Sequence, residues 1–495
     1  MSTSIDITFC LGNKGTDEDR HKGTEGPCIE RQGLSALCLC IFVTLPLLPC
    51  CLWVFATLSL HRGPEAKSNA TPEDETFFPF PETDNHSSFK PEQIRDCCTK
   101  PFLPVCFPFM QTTPTLYTRT FFTMSLANFF TTSSFGSFFL FPLFVSHLGG
   151  SKLDIGIVMG VFSLSSVLSR PWISSMVDRI GRKRSYTLGC AMMTALPLSY
   201  VFFQQDLSRV YPALLFARIL HGVGLALCFT AAFTYMADII PEARLNEGMG
   251  MFGVTGLSGM AIGPAVAEVI IQHAGFVPFF LAASAMGATG LLLHLPIPES
   301  HVEQSSSKAS SFFSVFLREK TLKVSLLAFL FGYALAASGG FVSPFGKEKN
   351  LAFISLYYLS YSGMAVLTRF VGGRLADRVG ELRIIPYAML LTGLGLVLLC
   401  FLGGDVILIL SGLMSGCGHG FLFPCLTAVA VREESIAIRG KVTGAFTGSM
   451  DAGAFSGSIL LGYIGERAGF PALFLTAGFS LFIGLIFFKA FYRGR

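Results

Sequence analysis

From residue 116 onward the chain alternates between long apolar runs and short polar breaks. Twelve runs stand out, at about 118–146, 153–175, 186–204, 210–237, 247–272, 276–295, 322–344, 351–373, 384–402, 405–430, 442–464 and 470–490. A helix that crosses a bilayer needs roughly 20 apolar residues, so each run predicts one spanning helix. The longest break, Pro296 to Thr321, is Ser-rich (Ser305-Ser306-Ser307-Lys308) and divides six runs from six. Its composition reads as a linker. The pattern predicts an all-α integral membrane fold of two six-helix bundles, 116–295 and 322–495, joined by 296–321.

Composition agrees. The chain is 51% hydrophobic and 14% charged, against about 25% charged in soluble domains. The net charge of +4 is too small to point to nucleic acid. Its placement is more informative. The breaks after runs 2, 4, 6, 8 and 10, with the C-terminal end, carry Arg179, Arg182, Lys183, Arg184, Arg244, Arg318, Lys320, Arg374, Arg378, Arg432, Arg439 and Arg495 among others. The opposite breaks hold only Lys152, Arg209, Lys347, Lys349 and Arg467. Basic loops stay in the cytoplasm, which puts both ends of the twelve-helix core inside and predicts a multi-pass protein of the cell (plasma or inner) membrane.

Residues 1–115 depart from the pattern. Leu34 to Leu60 lacks Lys, Arg, Asp and Glu and is long enough to span, but it contains Pro46 and Pro49. The stretch after it, 61–115, is polar and proline-rich and predicts disorder. Two readings stand: an extra anchor helix at 34–60, or upstream sequence with the true start near Met110. A cleaved targeting peptide fits less well, because the apolar run begins so far from the N-terminus. Nine of the 14 cysteines crowd into the first 106 residues. The other five (Cys190, Cys228, Cys400, Cys417, Cys425) are scattered without metal-ligand spacing and read as packing residues.

The break after run 2 reads Ser174-Ser175-Met176-Val177-Asp178-Arg179-Ile180-Gly181-Arg182-Lys183-Arg184, and a second version follows run 8 as Gly373-Arg374-Leu375-Ala376-Asp377-Arg378-Val379-Gly380. One offset pairs Arg170 with Arg369, Asp178 with Asp377, Arg179 with Arg378 and Gly181 with Gly380. A loop used twice at equivalent places indicates duplication, and membrane domains built of two parallel halves are typically transporters.

This loop resembles the signature of the major facilitator superfamily: Gly, three residues, Asp-Arg, one residue, then Gly-Arg-Lys/Arg. Ser174 stands where the family usually has Gly, and the second copy departs at Glu381 and Leu382. The resemblance implies a cytoplasmic gate formed by Asp178, Arg179, Gly181, Arg182, Lys183, Gly373, Asp377, Arg378 and Gly380, latching the outward-open state. An aspartate there can meet a facing helix N-terminus and arginine. Run 4 ends Asp238-Ile239-Ile240-Pro241-Glu242-Ala243-Arg244, similar to the family's pattern at that place, which predicts that Asp238 and Arg244 join the inner charge cluster. A solvated helix end is the plainer alternative.

Two further motifs lie inside the apolar layer. Arg218-Ile219-Leu220-His221-Gly222-Val223-Gly224 resembles the family's Arg-x-x-x-Gly-x-Gly, whose arginine the resemblance links to proton coupling. Gly259-Met260-Ala261-Ile262-Gly263-Pro264 resembles the Gly-x-x-x-Gly-Pro of the drug/proton antiporter branch, although its final glycine is Ala267 here. Gly453 and Gly457 repeat the spacing in run 11 without the proline. Physically both are packing motifs, since small residues four apart bring helices close; antiport follows from the resemblance alone.

Ionisable groups in the layer are functional candidates by default. His221-Gly222 recurs as His419-Gly420, and both histidines fall near mid-bilayer with Asp451 at similar depth. Histidine titrates near neutral pH, so Arg218, His221, His419 and Asp451 form a candidate proton or substrate group; histidine as polar glue between helices is the alternative. Glu268, towards the outer end of run 5, is either a coupling residue or a wetted rim residue. Run 1 contains no acid, unlike many drug/proton antiporters of this superfamily.

No phosphate-binding loop with its lysine, zinc-type His-Glu-x-x-His or Gly-x-Ser-x-Gly elbow is present. The sequence predicts no enzyme, metal or cofactor. It predicts a monomeric transporter in the lipid bilayer that exports a small organic solute, drug-like or metabolite, by proton antiport. Uptake by symport or facilitated diffusion, and a non-transporting sensor on the same fold, are the alternatives.

Overall fold

The computed structural model describes residues 116–300, 312–432, 434 and 436–492; within these, residues 243, 246, 371–374, 377, 436 and 437 are described by backbone alone. The segment 1–115, with its alternative readings, lies outside the described residues.

The described chain is helical. Its first half comprises α1 (Arg119–His147), α2 (Lys152–Ile180), α3 (Arg182–Ser199), α4 (Leu207–Ile239), α5 (Leu245–Ala274) and α6 (Phe276–His294). Its second half comprises α7 (Glu319–Gly340, continued by Val342–Glu348), α8 (Leu356–Val379), α9 (Glu381–Leu398), α10 (Asp405–Val431), α11 (436–468) and α12 (470–491). Gly469, at φ 83°, separates the last two. Most of these helices are apolar enough to cross a bilayer. The more polar α3 opens on Arg182-Lys183-Arg184, and α8 is diluted by Tyr, Ser and Gly. Pro298, Glu299 and Ser300, which the sequence assigns to the linker, are instead tied to the first half by Tyr235, Lys183 and Asp238.

Local chemistry sets the helix ends. Ser151 and Asp154 form a capping box at the start of α2, each side chain bonding the other's backbone N–H. At its other end the helix runs through Asp178-Arg179 and stops at Gly181, whose φ of 100° suits glycine. The second copy ends α8 the same way, at Gly380 with φ 89°.

The halves repeat one packing scheme. α1 packs on α5 and α6, and α4 on α2 and α3; correspondingly α7 packs on α11 and α12, and α10 on α8 and α9. A Cβ at Gly263 would overlap the carbonyl oxygen of Ser133 in α1, and one at Gly453 that of Phe329 in α7. Gly259 and Gly457 make the same kind of approach, and Pro264 lies beside Gly136. Small residues thus bring backbones together where lipid supplies no hydrophobic drive. Between halves α2 meets α11 and α5 meets α8, two contacts related by the pseudo-twofold. Exposed apolar side chains such as Phe202, Phe216, Leu292, Phe401 and Ile486 require a hydrocarbon surrounding.

Candidate functional site

At the outer end the halves interlock. Both oxygens of Glu268, 3% exposed, accept the backbone N–H groups of Ile354 and Ser355 at 2.7 Å. A carboxylate of α5 therefore caps the N-terminus of α8, where the helix dipole favours negative charge. The wetted-rim expectation is corrected, because the close approach of α5 and α8 excludes water. Gln272 donates to the Ala352 carbonyl, and Phe139 stacks on Tyr358 with centroids 5.1 Å apart. The Lys152 backbone N–H donates to Glu466 at 2.9 Å, while its ammonium lies 3.8 Å from Glu348.

At the inner end the ion pairs between described residues join groups of the same half. Arg182, 4% exposed, lies 3.1 Å from Asp238 and 3.4 Å from Asp178. Asp178 is open to solvent and meets its own half rather than a facing helix of the other. Arg179 is exposed, and Lys183 and Arg184 use their backbone N–H groups to bind Glu299 at 2.9 and 3.3 Å. Glu299 also lies against Gly181, leaving no room for a Cβ there. Arg244 does not join this cluster: it pairs with Glu247 at 2.7 Å and lies over Tyr117. It sits past the turn after Pro241.

In the second half the corresponding pair has reversed polarity. Glu381 opens α9 where Arg182 opens α3, and it pairs with Arg432 at the end of α10. Glu434 meets Arg318 and Lys320 at the start of α7. The departure of the second motif copy at Glu381 is thus an ion pair with its charges exchanged. Arg378 is exposed, and the side chains of Gly373 and Asp377 lie outside the described residues.

The mid-layer candidates do not form one group. Arg218, 1% exposed, lies over the rings of Phe162 and Phe141 at 4.4 and 4.9 Å. Its Nε donates to the Val158 carbonyl at 3.4 Å. Beside it His221, fully buried, bonds the Tyr200 hydroxyl through Nδ1 at 3.2 Å and meets Phe138 edge-on. Ring quadrupoles stabilise a cation held this way. His419, in the other half, bonds the Tyr361 hydroxyl and lies edge-on to Phe331. The position paired with Arg218 is Gly416, packed on the backbone of Tyr361.

Asp451 belongs with neither histidine. It takes the guanidinium of Arg170, with Nε to Oδ2 at 2.9 Å and a second bond from Nη2, and accepts from Ser166 at 3.2 Å. This pair joins α2 to α11 across the halves, and both side chains remain about a quarter exposed (25% and 21%). The duplication had marked Arg170, but nothing in the sequence tied it to an acid 281 residues away. Glu299, Tyr200, Tyr361 and Arg432 were likewise missed; the paired histidines offered the nearest signal for the two tyrosines.

The profile of the Major Facilitator Superfamily matches residues 121–433 and 324–495. The multidrug resistance protein MdtG of Salmonella paratyphi B is 26% identical over 371 residues, covering 72% of this chain and 90% of that protein. Among solved structures, a POT family transporter in complex with 5-aminolevulinic acid superposes with a TM-score of 0.65 at 15% identity, over 76% of this chain and 96% of that one. The nucleoside transporter NupG superposes with a TM-score of 0.61 at 16% identity, over 76% and 100%.

Proposed function

This chain belongs to the major facilitator superfamily and is a multi-pass membrane transporter, and we propose that it exports a small organic solute in exchange for protons. The observation that carries this reading is the Arg170–Asp451 pair. It is an acid–base contact in the middle of the layer, reachable by water, and shared between the two halves. While ionised, Asp451 holds α11 against α2. A proton arriving at Asp451 removes the charge that holds Arg170, so the contact weakens and the halves are free to rock. At the outer end the Glu268 cap on α8 closes the opposite exit in this conformation. His221 and His419 brace tyrosines in either half and serve as positioning residues.

The export direction is supported by the Gly259-x-x-x-Gly263-Pro264 motif and by the 26% identity to a multidrug resistance protein. The decisive experiment uses purified protein in proteoliposomes carrying a pH-sensitive dye and a panel of drug-like solutes and metabolites. Solute movement against its gradient, accompanied by proton flow and abolished by Asp451→Asn, is the expected outcome. Solute flux that proceeds without proton flow, or that Asp451→Asn leaves unchanged, overturns antiport through this pair.

A further inference from the structure

The duplication gives the two halves equivalent arginines, but only one has been given an acid. Arg170 of α2 runs alongside Gly448 of α11 and ends on Asp451. Arg369 of α8 runs alongside Gly253 of α5, the pseudo-equivalent contact. The offset that pairs Gly259 with Gly453 pairs Leu257 with Asp451, so an apolar residue stands where the other half has its carboxylate.

Among the described residues no carboxylate pairs with Arg369, and its Nε is buried without a hydrogen-bond partner. A guanidinium in the layer without an anion is costly, so its retention asks for a function. Arg218 presents no such opening, because rings enclose it. Arg369 packs against backbone instead: its Nη1 lies 2.5 Å from where a Cβ of residue 253 would be, so the guanidinium takes the place a side chain there would occupy. Tyr361 and His419 lie within electrostatic reach of the guanidinium, and Asn128 holds Thr255 on the facing helix at 3.0 Å.

We propose that Arg369 is a substrate-binding residue and that the transported solute is an organic anion, whose carboxylate or sulfonate meets this guanidinium where α5 and α8 pack together and supplies the charge that Asp451 supplies on the other side. This rests on the transport reading above and narrows its substrate class. The planar fork of arginine suits two-point contact with such a head group. Gly253 of α5 provides the room for the guanidinium.

The test measures equilibrium binding of radiolabelled benzoate and naphthalene-2-sulfonate, each against its uncharged amide, to purified protein. Flux of the same compounds is followed in proteoliposomes. The wild-type protein is expected to bind at least one anion saturably and neither amide. Arg369→Gln lowers that affinity ~10- to 100-fold, and Arg369→Lys restores part of it. Gly253→Asp keeps the arginine but gives it an internal carboxylate, and it should abolish anion binding with an unchanged unfolding midpoint. Amides bound as well as the anions by wild-type protein, no saturable binding of either anion, or anion binding indifferent to Arg369→Gln each overturn the proposal. Anion binding without flux under any gradient would sink the transport reading and leave this site standing. Flux of neutral or cationic solutes that Arg369→Gln leaves intact would do the reverse.

Discussion

The two halves share a scaffold and differ in charge. Their glycines, helix-ending turns and packing partners repeat, because both bundles need the same close helix approaches. The histidine–tyrosine pairs repeat as well, but several other ionisable pairings do not. The Arg182–Asp238 pair becomes Glu381–Arg432 with its polarity reversed. Arg218 becomes Gly416. Arg170 has Asp451, while Arg369 has no acid among the described residues. Duplication has preserved what the backbone needs and released what the chemistry uses, so the places where symmetry fails are the places to look for transport function.

Substitutions in the shared scaffold should do the greatest harm. A side chain at Gly332 would overlap the Met450 carbonyl, whereas one at Gly250 meets nothing within 4 Å. Gly332→Leu should cost about 1–3 kcal/mol or more through overpacking and leave little monodisperse protein on size exclusion, while Gly250→Leu elutes as wild type. Equal behaviour of the two would mean that the close approach of α7 and α11 is dispensable.

Next comes the asymmetric pair. Asp451→Asn leaves Arg170 without its anion and should slow exchange ~10- to 100-fold while the protein still folds. Rates measured in proteoliposomes across a pH series decide this, since the variant should also lose the wild-type dependence on pH. A variant with a normal rate and normal pH profile would remove the pair from the cycle.

The outer cap should have a smaller effect. Glu268→Gln retains a hydrogen-bond acceptor but loses the charge facing the α8 N-terminus, worth about 0.5–1 kcal/mol. Spin labels on the outer ends of α5 and α8 should report a severalfold larger population of the long distance. No change in the distance distribution would show that packing alone closes the exit. The smallest effect belongs to the polarity-reversed pair: Arg432 is largely exposed, so Glu381→Gln should shift stability by under about 1 kcal/mol and less in high salt. A large shift in thermal unfolding would give that pair a weight its exposure does not suggest.

Much of this was readable in advance. Twelve helices, their boundaries within a few residues, the duplicated turns at Gly181 and Gly380, and the glycine contacts of α5 and α11 follow from local pattern. Arg218, His221, His419 and Asp451, candidates by depth in the layer, lie in separate surroundings, because similar depth says nothing about which face of a helix a residue occupies. Arg244 was placed with Asp178 and Arg182 by spacing, but the turn at Pro241 carries it to Glu247 instead. Glu268, a coupling or rim candidate in the sequence, caps the N-terminus of α8.

The sequence by itself determined the helices and the twofold plan, because a bilayer obliges every backbone polar group to be satisfied within its own segment and so ties hydropathy directly to structure. The tertiary structure alone decided which charges meet. Asp451 finds Arg170, Glu299 finds the start of α3 and Arg369 finds no acid among the described residues. Those outcomes depend on how helices far apart in the chain rotate and pack, and side-chain chemistry read one helix at a time carries no record of that.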